Sequence, residues 1–107
     1  MPERPFTHEW QQLYGAVSIL ASSELPLRER LLDAATSRVV RIMPPGDHGT
    51  QLPPEIAERL LDLHVQLTRH GPFPTSISRM DDVQVRKCIE EIVGVFGMVA
   101  HAYSTAA

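Results

Sequence analysis

The sequence has few of the residues from which disulfides, metal sites and nucleic-acid surfaces are built. Its 107 residues include one cysteine, Cys88, so no internal disulfide can form and a reducing compartment is expected. Ten lysines and arginines stand against thirteen acidic residues, and the formal net charge is −3. No general basic field is therefore present to attract nucleic acid or an anionic membrane.

Long apolar runs are also missing. No segment approaches the ~20 apolar residues that a membrane-spanning helix needs. The first residues, Met1–Pro5, lack the apolar core of a signal peptide, so a cytoplasmic protein is expected. The length and the 43% hydrophobic content suit one globular domain, residues 1–107.

Motifs that carry chemistry are absent as well. There is no glycine-rich phosphate loop, nucleophile elbow or Cys-x-x-Cys pair. The segment His8–Gln12 begins like a zinc-protease helix but has no second histidine four residues on, and His64 and His70 do not share a helical face. The adjacent Asp81 and Asp82 are best explained as helix capping. The sequence predicts no enzyme activity, no cofactor and no metal.

Apolar periodicity predicts an all-α, four-helix bundle-like domain. The helices are expected at about residues 7–21, 27–41, 54–70 and 81–103. Thr7 is a good N-cap, Pro54 suits a first turn, and Gly71 is the expected stop of the third helix. Two segments rich in proline and glycine, 44–53 and 71–76, are predicted loops. Residues 37–43 could instead form a short strand.

The second half of the fourth helix is the most informative segment. From Ile92 to Ala102 it has no formally charged residue, and apolar side chains face every direction. Gly94 and Gly97 lower helix propensity by roughly 1 kcal/mol each, which calls for a packing reason. Two interpretations stay open: a central core helix, or a helix with one face docked on a second subunit or a partner.

An apolar and aromatic stripe marks the first helix, and it has the same two interpretations. The stripe either fills the bundle core or supplies interface anchors, since Trp and Tyr are frequent among interface hot spots. Phe73, between two prolines, either closes the core or is presented to a partner. The predicted interface residues are Phe6, Trp10, Leu13, Tyr14, Val17, Phe73, Gly94, Phe96 and Gly97.

The chain resembles the small helical antiactivators of bacterial quorum sensing, of the QslA type. The resemblance rests on the size, the proline-broken helical layout, the acidic composition, the Trp10-to-Val17 stripe and the Gly94-x-x-Gly97 helix. It implies a homodimer that captures a LuxR-family transcription regulator and blocks the dimerisation of that regulator.

The leading hypothesis is thus a non-catalytic regulatory protein that binds a second copy of itself and another protein. It would contact neither nucleic acid nor membrane directly. The alternative is a small-molecule-binding or catalytic helical domain, with a pocket between helices lined by Arg38, Arg41 or His64. A subunit of a larger assembly is the third possibility.

Overall fold

The structure is a computed structural model that describes residues 6–43 and 52–105. Nearly all of these residues are helical. The all-α prediction is confirmed. Along these residues the elements are α1 (Thr7–Ser22), α2 (Leu27–Ser37), a 3-10 helix (Val39–Ile42), α3 (Pro54–Leu67), α4 (Phe73–Arg79) and α5 (Asp82–Thr105). Each of the four predicted helices is present, and α4 is an additional one.

The helix α1 packs between α2 and α5, with the spacing predicted for an amphipathic helix. Leu13, Ala16 and Leu20 form its buried ridge. Thr7 is the first helical residue and not the N-cap that the sequence predicted. The N-cap is Phe6, which has a left-handed backbone (φ 69°) and makes no capping hydrogen bond through its side chain.

The chain tightens into a 3-10 helix after α2, where the sequence predicted either more α-helix or a strand. Both expectations were wrong for Val39–Ile42. A 3-10 helix has three residues per turn, so Val39 and Ile42 lie on the same side, and both are buried. Consecutive β-branched residues are weak helix formers, which favours this change of winding.

The helix α4 occupies a segment predicted to be a loop. Pro72 and Pro74 were interpreted as helix breakers, but they hold the N-cap and first-turn positions, where a missing N–H is no loss. The signal was present at helical spacing, because Phe73, Ser76, Ile77 and Met80 are all buried. Gly71 has the positive φ expected of it (121°), although α3 already ends at Leu67.

One arginine ties α2 to the junction between α4 and α5. The guanidinium of Arg28 donates to the carbonyl oxygens of Ile77 (2.7 Å) and Met80 (2.5 Å) and pairs with Asp82 (3.2 Å). These carbonyls stand at the C-terminal end of α4, where acceptors have no partner within the helix. Arg28 therefore fixes the direction in which α5 leaves α4.

The start of α5 is a capping box. The spacing of Ser78 and Asp81 in the sequence predicts such a box, but the structure forms it three residues later, between Asp81 and Gln84. The backbone N–H of Gln84 donates to Asp81 Oδ1 (2.8 Å), and the N–H of Asp81 donates to Gln84 Oε1 (3.1 Å). The hydroxyl of Ser78 instead donates to the Thr75 carbonyl oxygen. This box sets the register of the longest helix.

The buried ridge of α5 follows a heptad spacing. Val85, Cys88, Ile92, Val95 and Val99 are its buried residues. The sequence predicts a heptad seam made of Val85, Ile89, Ile92, Phe96, Val99 and Tyr103. Three of these residues, Val85, Ile92 and Val99, belong to the buried ridge. The other members of the seam (Ile89, Phe96 and Tyr103) are only half-buried and flank the ridge on one side.

The predicted loop 44–53 lies almost wholly outside the described residues, and with it Gly46 to Gly49. Within the described ranges, no helix is long and apolar enough to cross a bilayer.

Candidate protein-interaction surface

Four aromatic side chains meet along the contact between α1 and α5. Trp10 stacks on Tyr14 with ring centroids 5.3 Å apart, and on Tyr103 at 5.1 Å. Tyr14 and Phe96 lie 6.2 Å apart in a tilted arrangement. Trp10 and Tyr14 are four residues apart on α1, so both project from the same side of the helix. Helical spacing thus accounts for the cluster.

The cluster is only partly covered by the rest of the chain. Trp10, Phe96 and Tyr103 are half-buried, and the Tyr14 side chain is 54% exposed. A large aromatic ring left this open is uncommon on a monomer, and Tyr and Trp are frequent anchors of protein interfaces.

The exposed side of α5 continues this surface. Val93, Phe96, Gly97 and Ala100 recur at three- and four-residue spacing and share one side of the helix. Val93 is 48% exposed, and a Cβ built on Gly97 would have no atom within 4 Å. We call the combined surface the α1–α5 face. It consists of Trp10, Tyr14, Val93, Phe96, Gly97, Ala100 and Tyr103.

No formal charge lies on the surface of either helix over this face. Between Ile92 and Thr105, α5 has no Asp, Glu, Lys or Arg. The only such residue of α1 is Glu9, and it is 3% exposed. Every other α-helix among the described residues exposes charged side chains, so the α1–α5 face is a distinct apolar region, bordered at Gly94 by the Arg59–Glu91 pair.

The burial of Glu9 was not foreseen from the sequence. The residue lies in the first turn of α1, as predicted, but it and Gln12 project inward. Within the described part of the chain, Glu9 Oε1 and Gln12 Oε1 are buried without a hydrogen-bond partner. A single acidic residue on an amphipathic helix gives no signal for burial, because carboxylates are nearly always exposed.

The two glycines of α5 have different surroundings. A Cβ on Gly94 would lie 3.0 Å from a guanidinium nitrogen of Arg59, and Arg59 Nε is paired with Glu91 at 3.0 Å. Gly94 thus makes room for an arginine from α3. At Gly97, one turn further along α5, no side chain of the described residues occupies the space beside the glycine.

Several predicted interface residues belong elsewhere. Leu13 is fully buried and Phe73 is 8% exposed, so both are core residues and contribute no free surface. Phe6 and Val17 are half-buried and pack against the core. Trp10, Tyr14, Phe96 and Gly97 are the predicted residues that the structure brings together on one face. Val93, Ala100 and Tyr103 were not in the predicted set. Their spacing of three, four and seven residues from Phe96 could have predicted that they share one side of the helix with it.

The residues considered for catalysis or ligand binding are engaged in structural contacts. The side chain of Arg38 lies against Gly15, where a Cβ would be 2.7 Å from its Nε, and Arg41 Nε donates to the Ser37 carbonyl oxygen. The ring of His64 meets the edge of Phe73, with centroids 6.3 Å apart. None of the three predicted pocket residues lines the cavity described below.

The thiol of Cys88 is buried, and burial lowers its reactivity as a nucleophile. Burial raises its pKa from 9.0 to about 11, against a smaller lowering by the positive charge of Arg69. The thiolate is the reactive form of cysteine, so this group is a poor nucleophile at neutral pH. Across residues 6–43 and 52–105, no three His, Cys, Asp or Glu residues are grouped as metal ligands.

No protein-family model, curated protein or solved structure matches this chain.

Proposed function

We propose that this protein is a non-catalytic protein-interaction module that forms a homodimer through the α1–α5 face. The observation that carries the proposal is the uncharged, partly open aromatic surface beside Gly97, a helical glycine whose Cβ position no side chain or other element of the described residues approaches within 4 Å. Glycine costs a helix roughly 1 kcal/mol relative to alanine, and its use at an open position makes sense where another backbone comes close.

A second copy of this chain fits the face better than a partner of opposite charge would. In a two-fold dimer the same patch meets itself, so a patch whose charges were all of one sign would repel its own copy. The α1–α5 face has no formal charge along Ile92–Thr105, and this repulsion is absent. Self-association also gives Gly97 an occupant, because α5 of the partner can cross at the paired glycines.

The proposal extends to a regulatory role. Under the resemblance to QslA-type antiactivators, the dimer captures a transcription regulator of the LuxR family and prevents that regulator from dimerising. Leu61 and Val65, four residues apart on α3, are 52% and 54% exposed. They supply a second apolar surface that a dimer formed through the α1–α5 face leaves free. A purified LuxR-family regulator should lose its dimer fraction when this protein is added in excess.

The dimer is tested by sedimentation equilibrium at micromolar concentration. The wild-type chain should sediment at about twice 12.0 kDa. Val93→Glu places a charge on the face that the dimer would bury without a partner, so this variant should sediment as a monomer with an unchanged helical circular-dichroism spectrum.

Val65→Glu is the matched control. Its side chain has similar exposure (54% against 48% for Val93) but lies on α3, outside the face. This variant should dimerise like the wild type. A wild-type chain that stays monomeric at tens of micromolar would contradict the proposal, as would equal loss of dimer in both variants.

A further inference from the structure

A second feature lies on the other side of α5, away from the α1–α5 face. A cavity of about 230 Å³ opens between the C-terminal end of α3 and the first turns of α5. Its polar wall is formed by Gln66, Arg69, His70, Gln84, Lys87 and Cys88. Met80 and Val83 add apolar surface. Neither the fold nor the dimer described above uses this cavity.

The wall of the cavity has excess positive charge. Arg69 and Lys87 approach it from two different helices, and His70 adds a third nitrogen-bearing side chain. The ion pairs among the described residues are Arg28–Asp82 and Arg59–Glu91, so Arg69 and Lys87 take part in neither. Both side chains are exposed at the mouth of the cavity, and neither is held in an ion pair within the described ranges, so both are available to an anion that enters it.

The one carboxylate on the wall does not cancel this charge. Asp81 Oδ1 accepts the backbone N–H of Gln84 at 2.8 Å as the N-cap of α5. That position places its charge against the positive end of the helix dipole. Asp82 is also engaged, because it pairs with Arg28. Arg69 and Lys87 outnumber Asp81 on the wall, so the wall keeps a net positive charge.

Part of the cavity wall is formed by the apolar Met80 side chain, the weakly polar Cys88 thiol and the Gln66 amide. The buried Cys88 thiol lies 3.6 Å from Gln66 Oε1 and 4.0 Å from Met80 Sδ. The thiol is uncharged at neutral pH, and Glu91, the carboxylate whose charge acts on the thiol, is paired with Arg59. A ligand that fills the cavity would therefore have its charge toward Arg69 and Lys87 and an apolar body toward Met80.

We propose that this cavity binds a small organic anion, with a carboxylate or phosphate held by Arg69 and Lys87 and a compact apolar body beside Met80, Val83 and Cys88. The size agrees with this assignment. A dry cavity of about 150 Å³ can hold benzene, so about 230 Å³ holds a ring together with a charged head group.

The test compares three probes that share one ring and differ in charge. Benzoate, benzyl alcohol and benzylammonium are each titrated into ¹⁵N-labelled wild-type protein, and amide shifts are followed by NMR. Benzoate should shift the amides of residues 66–70 and 80–88 with saturation in the millimolar range. It should bind at least fivefold more tightly than benzyl alcohol, and benzylammonium should show no saturation. Phenyl phosphate, run alongside, shows which anionic head group is preferred.

Variants then assign the contacts. Arg69→Gln and Lys87→Gln should each weaken benzoate binding at least fivefold and leave benzyl alcohol unaffected. Arg86→Gln removes the same kind of charge one residue from Lys87 but outside the cavity wall, and it should bind benzoate like the wild type.

Equal binding of benzoate and benzyl alcohol would overturn the proposal, because the cavity would then be an apolar niche. Equal weakening by Arg86→Gln would also overturn it, as would no saturation by either anion. The dimer is scored separately by sedimentation, and Arg69→Gln should leave it intact, so the two proposals can fail independently.

Discussion

Gly94 and Gly97 are three residues apart on the same helix. Packing among the described residues explains why position 94 is a glycine, but it does not explain the glycine at position 97. Gly94 lies under the guanidinium of Arg59, which Glu91 holds in place. Gly97 has open space where a side chain would be. The same residue type therefore marks an internal packing contact at one turn of α5 and an open position at the next turn.

The contrast extends to the two halves of α5. The first half has the capping box, most of the ionisable side chains and the cavity lined by Arg69 and Lys87. The second half has no formal charge and joins the aromatic cluster of α1. One helix thus serves a charged region and an apolar region, divided near Ile92. We infer that the apolar half associates with a second copy, and that the charged half does not.

The largest expected effect separates Leu13 from its neighbour Tyr14. Leu13→Ala removes a fully buried side chain from the core and should lower the free energy of unfolding by about 2–5 kcal/mol. Tyr14→Ala removes a ring that is 54% exposed, so it should lower monomer stability far less but weaken the dimer. Chemical denaturation of dilute protein and sedimentation measure the two quantities separately. Equal losses of stability would mean that Tyr14 is a core residue.

The next effect separates the two glycines. Gly97→Leu inserts a side chain into the dimer contact and should raise the dimer dissociation constant at least tenfold, which corresponds to about 1.4 kcal/mol. The fold of the monomer should survive, because among residues 6–43 and 52–105 no atom outside the backbone of α5 lies within 4 Å of the new Cβ. Gly94→Leu should instead displace Arg59, lower monomer stability and leave the dimer constant near its wild-type value. A reversal of these two outcomes would exchange the roles assigned to the glycines.

A smaller effect concerns Gly97→Ala. In the dilute monomer the added methyl group meets no atom within 4 Å, so the gain in helix propensity should raise stability by roughly 1 kcal/mol. In the dimer the same methyl group separates the two helices and weakens association. Thermal unfolding over a dilution series should therefore show a more stable monomer and a smaller dependence on concentration. A uniform loss of stability at every concentration would show that Gly97 packs inside its own chain.

The smallest effect is a pH dependence on the charged side of α5. Burial raises the pKa of the Cys88 thiol to about 11 from 9.0, so the folded state holds this proton more tightly than the unfolded state does. The stabilisation is complete below pH 9.0 and is lost as the pH rises toward 11. Cys88→Ala should show a shallower decline of unfolding free energy over this window. Parallel declines in both proteins would indicate that the thiol titrates normally in the folded state.

The sequence predicted the four long helices because their apolar residues repeat at three- and four-residue intervals. It did not predict α4, because the two prolines of this segment are typical of a loop and the apolar spacing from Phe73 to Met80 is short. The 3-10 helix was missed for a related reason, since Val39 and Ile42 fit more than one periodicity when taken alone.

The candidate surface was only partly predictable. The pattern identified Trp10, Tyr14, Phe96 and Gly97 but could not distinguish Gly97 from Gly94. That distinction depends on where an arginine of α3 lies, and this is set by the packing of α3 on α5. The burial of Glu9, which leaves α1 without a surface charge, likewise follows from tertiary packing and has no local signal.

Disulfide trapping tests the central claim most directly. A cysteine at position 97 should pair with its symmetry mate if α5 crosses its partner there, because a disulfide requires the two Cβ atoms to be about 3.5–4.5 Å apart. Gly97→Cys, oxidised at micromolar concentration, should give a covalent species of about twice 12.0 kDa on a non-reducing gel. Val65→Cys, equally accessible on α3, should stay almost entirely monomeric. A Gly97→Cys protein that forms no more covalent dimer than Val65→Cys would contradict the account.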